Sequence, residues 1–265
     1  MFTPRPRRPI ESLLLAGLIA CCPAAEMRTA PNAGAAPVNQ LSVSGNACGP
    51  AALLASFRTG NEAWQRAAAS LAGDSDRDRL RLWIRQYGLR PSETLKGRKR
   101  WSASGINVED LVTAANEMNK PLFLPPLAHD DLFLRQRESP EALLRRVRER
   151  FDRSLAKGIP PVLSLRRFVQ RKGTWTALQG HFVTVAAVPK KLARGETSFA
   201  FQYLDPWGGK RCEGTLEFPR QTVLAAAGQP SPCLEAKVPA ANIGKGEVRR
   251  GETTVVVPAA VIGRW

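Results

Sequence analysis

The chain has 265 residues, of which 43% are hydrophobic and 23% charged, and its formal net charge is +16. It shows no internal repeat, and no stretch after Ala20 is long or apolar enough to cross a bilayer as a helix. Two histidines and no CxxC pair make a zinc site unexpected, and no cofactor is implied.

Taken in chain order, residues 1–20 read as an export signal. Arg5, Arg7 and Arg8 precede an apolar core over residues 13–20, far too short for a membrane span. Leu18-Ile19-Ala20-Cys21 resembles a bacterial lipobox, which implies cleavage before Cys21, its lipidation and attachment to a membrane surface. Cleavage near Ala24 or Ala25, giving a free periplasmic or secreted protein, is the alternative. Residues 21–37 are rich in Ala and Pro and are expected to be a tether, leaving residues 38–265 as one domain of about 225 residues with a sizeable core.

The first half of that domain reads as helices. Cys48-Gly49-Pro50 opens a compact apolar helix through Phe57, with Pro50 as a natural early helical residue. Asn61 caps a second helix carrying Trp64. A third spans residues 76–87, with Leu80, Trp83, Ile84 and Tyr87 on one stripe and Gly88 at its end. Residues 96–100 form a basic loop, Asn107 caps a fourth helix, and Ser139 starts a long fifth whose inward stripe is Leu144, Val147, Phe151 and Leu155. His129 is read as a loop residue between them.

The second half reads as strands at residues 161–165, 174–176, 181–188, 199–204 and 215–218, with a last one at 253–257 and a turn at Gly208-Gly209. Helices first and an antiparallel sheet afterwards is an α+β layout. The nucleophile helix is expected to pack on the sheet that carries His181.

Removing residues 1–20, which hold three Arg and one Glu, leaves a charge of +14. For an exported chain such a charge favours anionic lipid or cell-wall polymers over nucleic acid. The arginines of the fifth helix lack the interleaved aromatics that stack on bases, so no nucleic-acid partner is expected. Cys212 and Cys233 bracket a loop and are expected to form a disulfide or, failing that, to stay reduced and buried; Cys48 is left as the unpaired thiol.

Cys48, His181 and Asp205 follow one another as nucleophile, base and orienting group. A thiol at a helix N-terminus faces the positive end of the macrodipole, which favours the thiolate. The oxyanion of a tetrahedral intermediate needs two donors: the backbone N–H of Cys48 and an upstream carboxamide, Gln40 or its close-range rival Asn46. Asn46-Ala47-Cys48-Gly49-Pro50-Ala51-Ala52-Leu53, Gly180-His181-Phe182-Val183 and Tyr203-Leu204-Asp205-Pro206-Trp207, with Gln40 upstream, resemble the bacteriocin-processing (double-glycine leader) peptidases and their stand-alone relatives. His181 follows Cys48 by 133 residues, inside the roughly 130–150 noted for papain-like enzymes. Residues 158–163 and 105–111 are similar to further segments of that family, so the likeness covers roughly residues 38–210.

The resemblance implies a papain-like cysteine peptidase fold, with Cys48, His181 and Asp205 as triad and Gln40 in the oxyanion hole. The gap from Gln40 to Cys48 is longer than the papain pattern, and the chain has no GxxxxGK[ST] nucleotide loop. The leader-peptide substrate therefore does not carry over. A peptide or protein substrate is implied. Other acyl transfer on the same triad, of transglutaminase or cell-wall amidase type, and a non-catalytic binding lipoprotein are the alternatives.

Overall fold

The structure, a computed structural model, describes residues 26–219 and 234–265. The expected signal peptide, Cys21 with its neighbour Cys22, and Cys233 lie outside the described residues, and with Cys233 the expected pairing to Cys212.

The described chain opens with a short strand, β1 (Met27–Thr29), and a 3₁₀ turn at Gln40–Ser42. Helices α1 (Cys48–Thr59), α2 (Glu62–Ala69) and α3 (Asp76–Trp83) follow, the last running into a π-helical turn at Ile84–Gly88. Asn61 and Ser75 cap α2 and α3 by accepting backbone N–H bonds through their side chains. A small hairpin, β2 (Trp101–Ser102) and β3 (Gly105–Ile106), leads into α4 (Val108–Asn119), which Asn107 caps at 2.7 Å from the Asp110 N–H. Strand β4 (Ala128–Asp131) precedes α5 (Pro140–Ala156), with Ser139 as its cap. Strands β5 (Val162–Arg171), β6 (Thr174–Pro189), β7 (Ser198–Asp205), β8 (Lys210–Glu217), β9 (Glu235–Lys237) and β10 (Thr254–Gly263) complete the chain.

Seven of the strands form an antiparallel sheet in the order β4-β10-β5-β6-β7-β8-β9, and β1 pairs with the far end of β6. Ala187 of β6 has Gln202 of β7 on one side and Thr29 of β1 on the other, so β1 continues the row of β5 beyond Val162. The sheet carries a core on each face. One holds α1 to α4 against Phe182, Ala186 and Leu204. The other holds α5 against Val183, Val185, Phe201 and Tyr203. Helix α1 is fastened to the sheet by a buried bond from Thr184 Oγ1 to the Ala52 carbonyl at 2.7 Å. The molecule is thus mixed α and β, with an antiparallel sheet and the Cys48 helix packed upon it, as the sequence predicts.

Several expectations are corrected. The part of the predicted tether that is described, residues 26–37, is built into the domain: β1 joins the sheet, Arg28 pairs with Asp152, and the Asn32 N–H donates to the Thr59 carbonyl at 3.0 Å. A three-residue strand is too short to carry a periodic signal. His129 is not a loop residue but lies on β4 opposite Ile262. The two strands expected at 174–176 and 181–188 are one, because cross-strand bonding to β5 carries the pairing through half-buried Gln179 and exposed Gly180 without an apolar run.

Candidate active site

Three chain segments converge at one end of α1. The N-terminal residue of that helix is Cys48, half-buried, and its N-cap is Ala47, which has no side chain to satisfy the first N–H groups. Pro50, third in the helix, sits where an N–H would be orphaned in any case, so it costs no intrahelical bond. Gly49 is required by packing: a Cβ there would fall 2.5 Å from Ile106 Cγ2 of the hairpin. The hairpin also grips the backbone before the helix. Trp101 Nε1 donates to the Asn46 carbonyl at 3.2 Å, and Asn46 Nδ2 donates to the Ser102 carbonyl at 2.8 Å.

His181, in β6, is 3% exposed and Asp205, at the end of β7, is 1% exposed. His181 Nε2 donates to Asp205 Oδ1 at 2.7 Å, since a carboxylate can only accept. The same oxygen accepts the Trp207 N–H at 2.8 Å, which pins the carboxylate in the turn that follows. With Nε2 engaged, Nδ1 is the nitrogen left to face Cys48, the second group whose proximity alters the titration of the ring. Burial pulls the His181 pKa down, but the hydrogen bond to Asp205 and the bond to and charge of Cys48 outweigh it. The result is a pKa raised from 6.5 to about 9.

Asn46 and Gln40 are held differently. The Asn46 carboxamide sits beside Cys48 on the wall of a cleft of about 700 Å³. Gln40 lies beneath that wall, fully buried, its Nε2 donating to the Gly45 carbonyl at 2.6 Å and its Oε1 without a protein partner. Its backbone N–H donates to the Pro206 carbonyl at 2.9 Å, tying the segment before the helix to the turn after Asp205. Trp207 faces Gly45, where an added Cβ would meet the indole at 3.7 Å. His129, exposed on β4, does not line the cleft.

Cys212, the other described thiol, lies in β8 opposite Tyr203, and burial together with the charge of Asp205 pushes its pKa up. It is therefore poorly suited to act as a nucleophile.

The cleft runs from Cys48 across the sheet. Phe182, Ser164, Ala260 and Asp131 form one cross-strand row of its floor, over β6, β5, β10 and β4. Gly180 and Arg166 form the next. The sequence reading missed Ser164 and Arg166, although the alternation Leu163-Ser164-Leu165-Arg166 is the period-2 signal of a strand with one polar face. The opposite wall, at residues 98–109, is the basic loop and hairpin, and Arg100 there is tied bidentately to Glu117 at 2.7 and 2.8 Å.

No model of a known protein family matches the chain, and no curated protein matches it.

Such an arrangement offers a thiol at a helix start, a charged ring beside it, a carboxylate behind the ring and uncapped N–H groups at the helix start. Chemically it can attack a carbonyl, stabilise the resulting oxyanion and protonate a leaving group.

Proposed function

We propose that the chain is an exported, lipid-anchored cysteine peptidase of papain-like fold. The observation that carries this reading is the position of His181, buried between the Cys48 thiol and the Asp205 carboxylate at one end of an open cleft.

In that reading the Cys48 thiolate attacks the scissile carbonyl and a C–S bond forms. Oxyanion charge falls on the backbone N–H of Cys48 and on a carboxamide; Asn46 lines the cleft and keeps a second Nδ2–H beside the one given to Ser102, whereas Gln40 is fully buried and does not line it. The tetrahedral intermediate collapses as His181 Nδ1–H gives its proton to the departing amine and the C–N bond breaks. Neutral His181 then takes a proton from water, the hydroxide attacks the thioester, and Cys48 leaves as thiolate beside a reprotonated ring. Asp205 stabilises the imidazolium at each stage.

The test pairs a thiol-reactive acyl probe with hydrolysis of a peptide library. Wild type should be labelled at Cys48 and cleave peptides, and Cys48→Ala should do neither while keeping its circular dichroism spectrum. Undiminished turnover in Cys48→Ala removes the nucleophile assignment. Supplying an amine acceptor separates hydrolysis from acyl transfer, since only a transferase forms the amide product in preference to the acid. For the anchor, fractionation at high salt should keep wild type in the membrane and release Cys21→Ser; stable anchoring needs more than one acyl chain, and salt screens the attraction of the basic surface.

A further inference from the structure

We propose that Arg166 makes this site selective for substrates with a carboxylate on the leaving-group side of the scissile bond. The inference rests on the peptidase reading above. Its starting point is chemical: the ring that protonates the departing amine must lie beside it, so the departing half of the substrate occupies the cleft next to His181. The acyl half stays on Cys48, against the α1 start and the hairpin.

The His181 side of the floor has an unusual shape. Arg166 and Gly180 are direct cross-strand partners, and both line the cleft. Because Gly180 has no side chain, the floor of the cleft opposite Arg166, next to His181 in sequence, is open. A Cβ on Gly180 would meet nothing closer than the Leu165 carbonyl at 3.8 Å. The neighbouring Gln179 is already committed, its Oε1 accepting the Gly244 N–H. Arg166 is the charged side chain of this stretch of floor.

Arg166 is exposed within the cleft, and among the described residues no carboxylate lies within ion-pair distance of it. Asp131, the acidic group on the same floor, is two strands away across β10 and one row along, about 12 Å between backbones at ordinary strand geometry. The other carboxylate lining the cleft, Glu109, belongs to the opposite wall, in the first turn of α4. A planar guanidinium with several N–H donors suits a carboxylate, which can accept two of them at once. That carboxylate has two possible sources: an Asp or Glu side chain just after the scissile bond, or the chain terminus of a short leaving peptide.

The experiment measures kcat/KM of the wild-type chain on quenched peptides that differ only after the scissile bond. One arm compares Asp or Glu with Asn, Gln and Lys in an amidated peptide. The other compares a free with an amidated C-terminus in a neutral peptide. In one arm or the other the carboxylate should be favoured about tenfold, the worth of one charge-assisted hydrogen bond. Arg166→Ala should bring that ratio close to one, Arg166→Glu should reverse it in favour of Lys, and Arg145→Glu on α5 should leave it unchanged. Reading a ratio within each variant cancels any loss of folded protein. Turnover by wild type with no preference in either arm, or a preference that survives Arg166→Glu, overturns the assignment of Arg166 alone. Absence of any peptide turnover together with absence of Cys48 labelling overturns the peptidase reading, and this inference with it.

Discussion

His181 is the residue whose titration the surroundings alter most consequentially. A pKa of about 9 keeps the ring charged through neutrality, so kcat/KM should hold to the alkaline side and fall as pH rises through about 9. Asp205→Asn, which removes a charge that favours imidazolium, should move that limb to lower pH. The same shift bears on stability. The folded ring binds its proton more tightly than an unfolded one at 6.5, so the stabilisation is fully present below about 6.5 and is lost as pH rises through about 9. Thermal midpoints of wild type should fall across that window relative to those of His181→Gln. A flat difference would contradict the ring's burial beside two acidic partners. In turnover, Asp205→Asn should be milder than His181→Ala, because an amide still accepts from Nε2–H and orients the ring while losing the charge; steady-state kinetics of the two variants make the comparison. The residues of this cluster were readable in the sequence, since Cys-Gly-Pro at a helix start, a His at the head of an apolar run and an Asp at a strand end are local signals. The burial of Gln40 beneath Gly45 was not, because it depends on how residues 40–47 coil, and no periodicity encodes that.

At the scale of the elements, α1 is set by how closely the hairpin approaches it. Gly49→Ala must displace Ile106, and we expect a loss of about 1–3 kcal/mol in chemical denaturation, typical of overpacking. The hairpin also holds the Asn46 backbone, so the same substitution should lower kcat/KM beyond its effect on stability. The helices were legible because their caps and stripes are written in single residues: Asn61, Asn107 and Ser139 all cap as expected. Strand limits were less so. β5 and β6 extend past the two main cores beside β10, where exposed residues such as Gln170 and Thr176 interrupt the apolar run. β10 was expected to stop before Pro258. It continues through it, because the register with β5 shifts between Pro258 and Ala260, and a bulge tolerates the missing donor.

Across the whole molecule, the last strand is interior. β10 lies between β4 and β5, and Val256 and Val261 belong to the core under α5. Deleting residues 254–265 would leave both neighbours with an open edge and uncover that core, so the shortened chain should accumulate as insoluble protein, measured against wild type by sedimentation. That the sheet is antiparallel and backed by helices was readable from their order in the chain. That helices cover both faces was not, because α5 precedes the sheet in sequence just as α1 to α4 do, and only long-range packing assigns it to the other side.

The threading of β1 has a directional consequence. β1 pairs with β6 at Ala187 to Pro189, and the Lys190 N–H donates to the Glu26 carbonyl, whereas the cleft takes its floor from Gly180 and Phe182 near the middle of the same strand. Six residues of strand, about 20 Å, separate His181 from Ala187. Residue 26 therefore departs from the pole of the domain away from the cleft. If Cys21 carries lipid, the five residue steps from it to Glu26 reach at most about 18 Å, too little to wrap the chain back around. The bilayer would then lie under the β1 pole and the mouth of the cleft would look outward, toward substrates arriving from the aqueous side rather than toward segments embedded in the membrane.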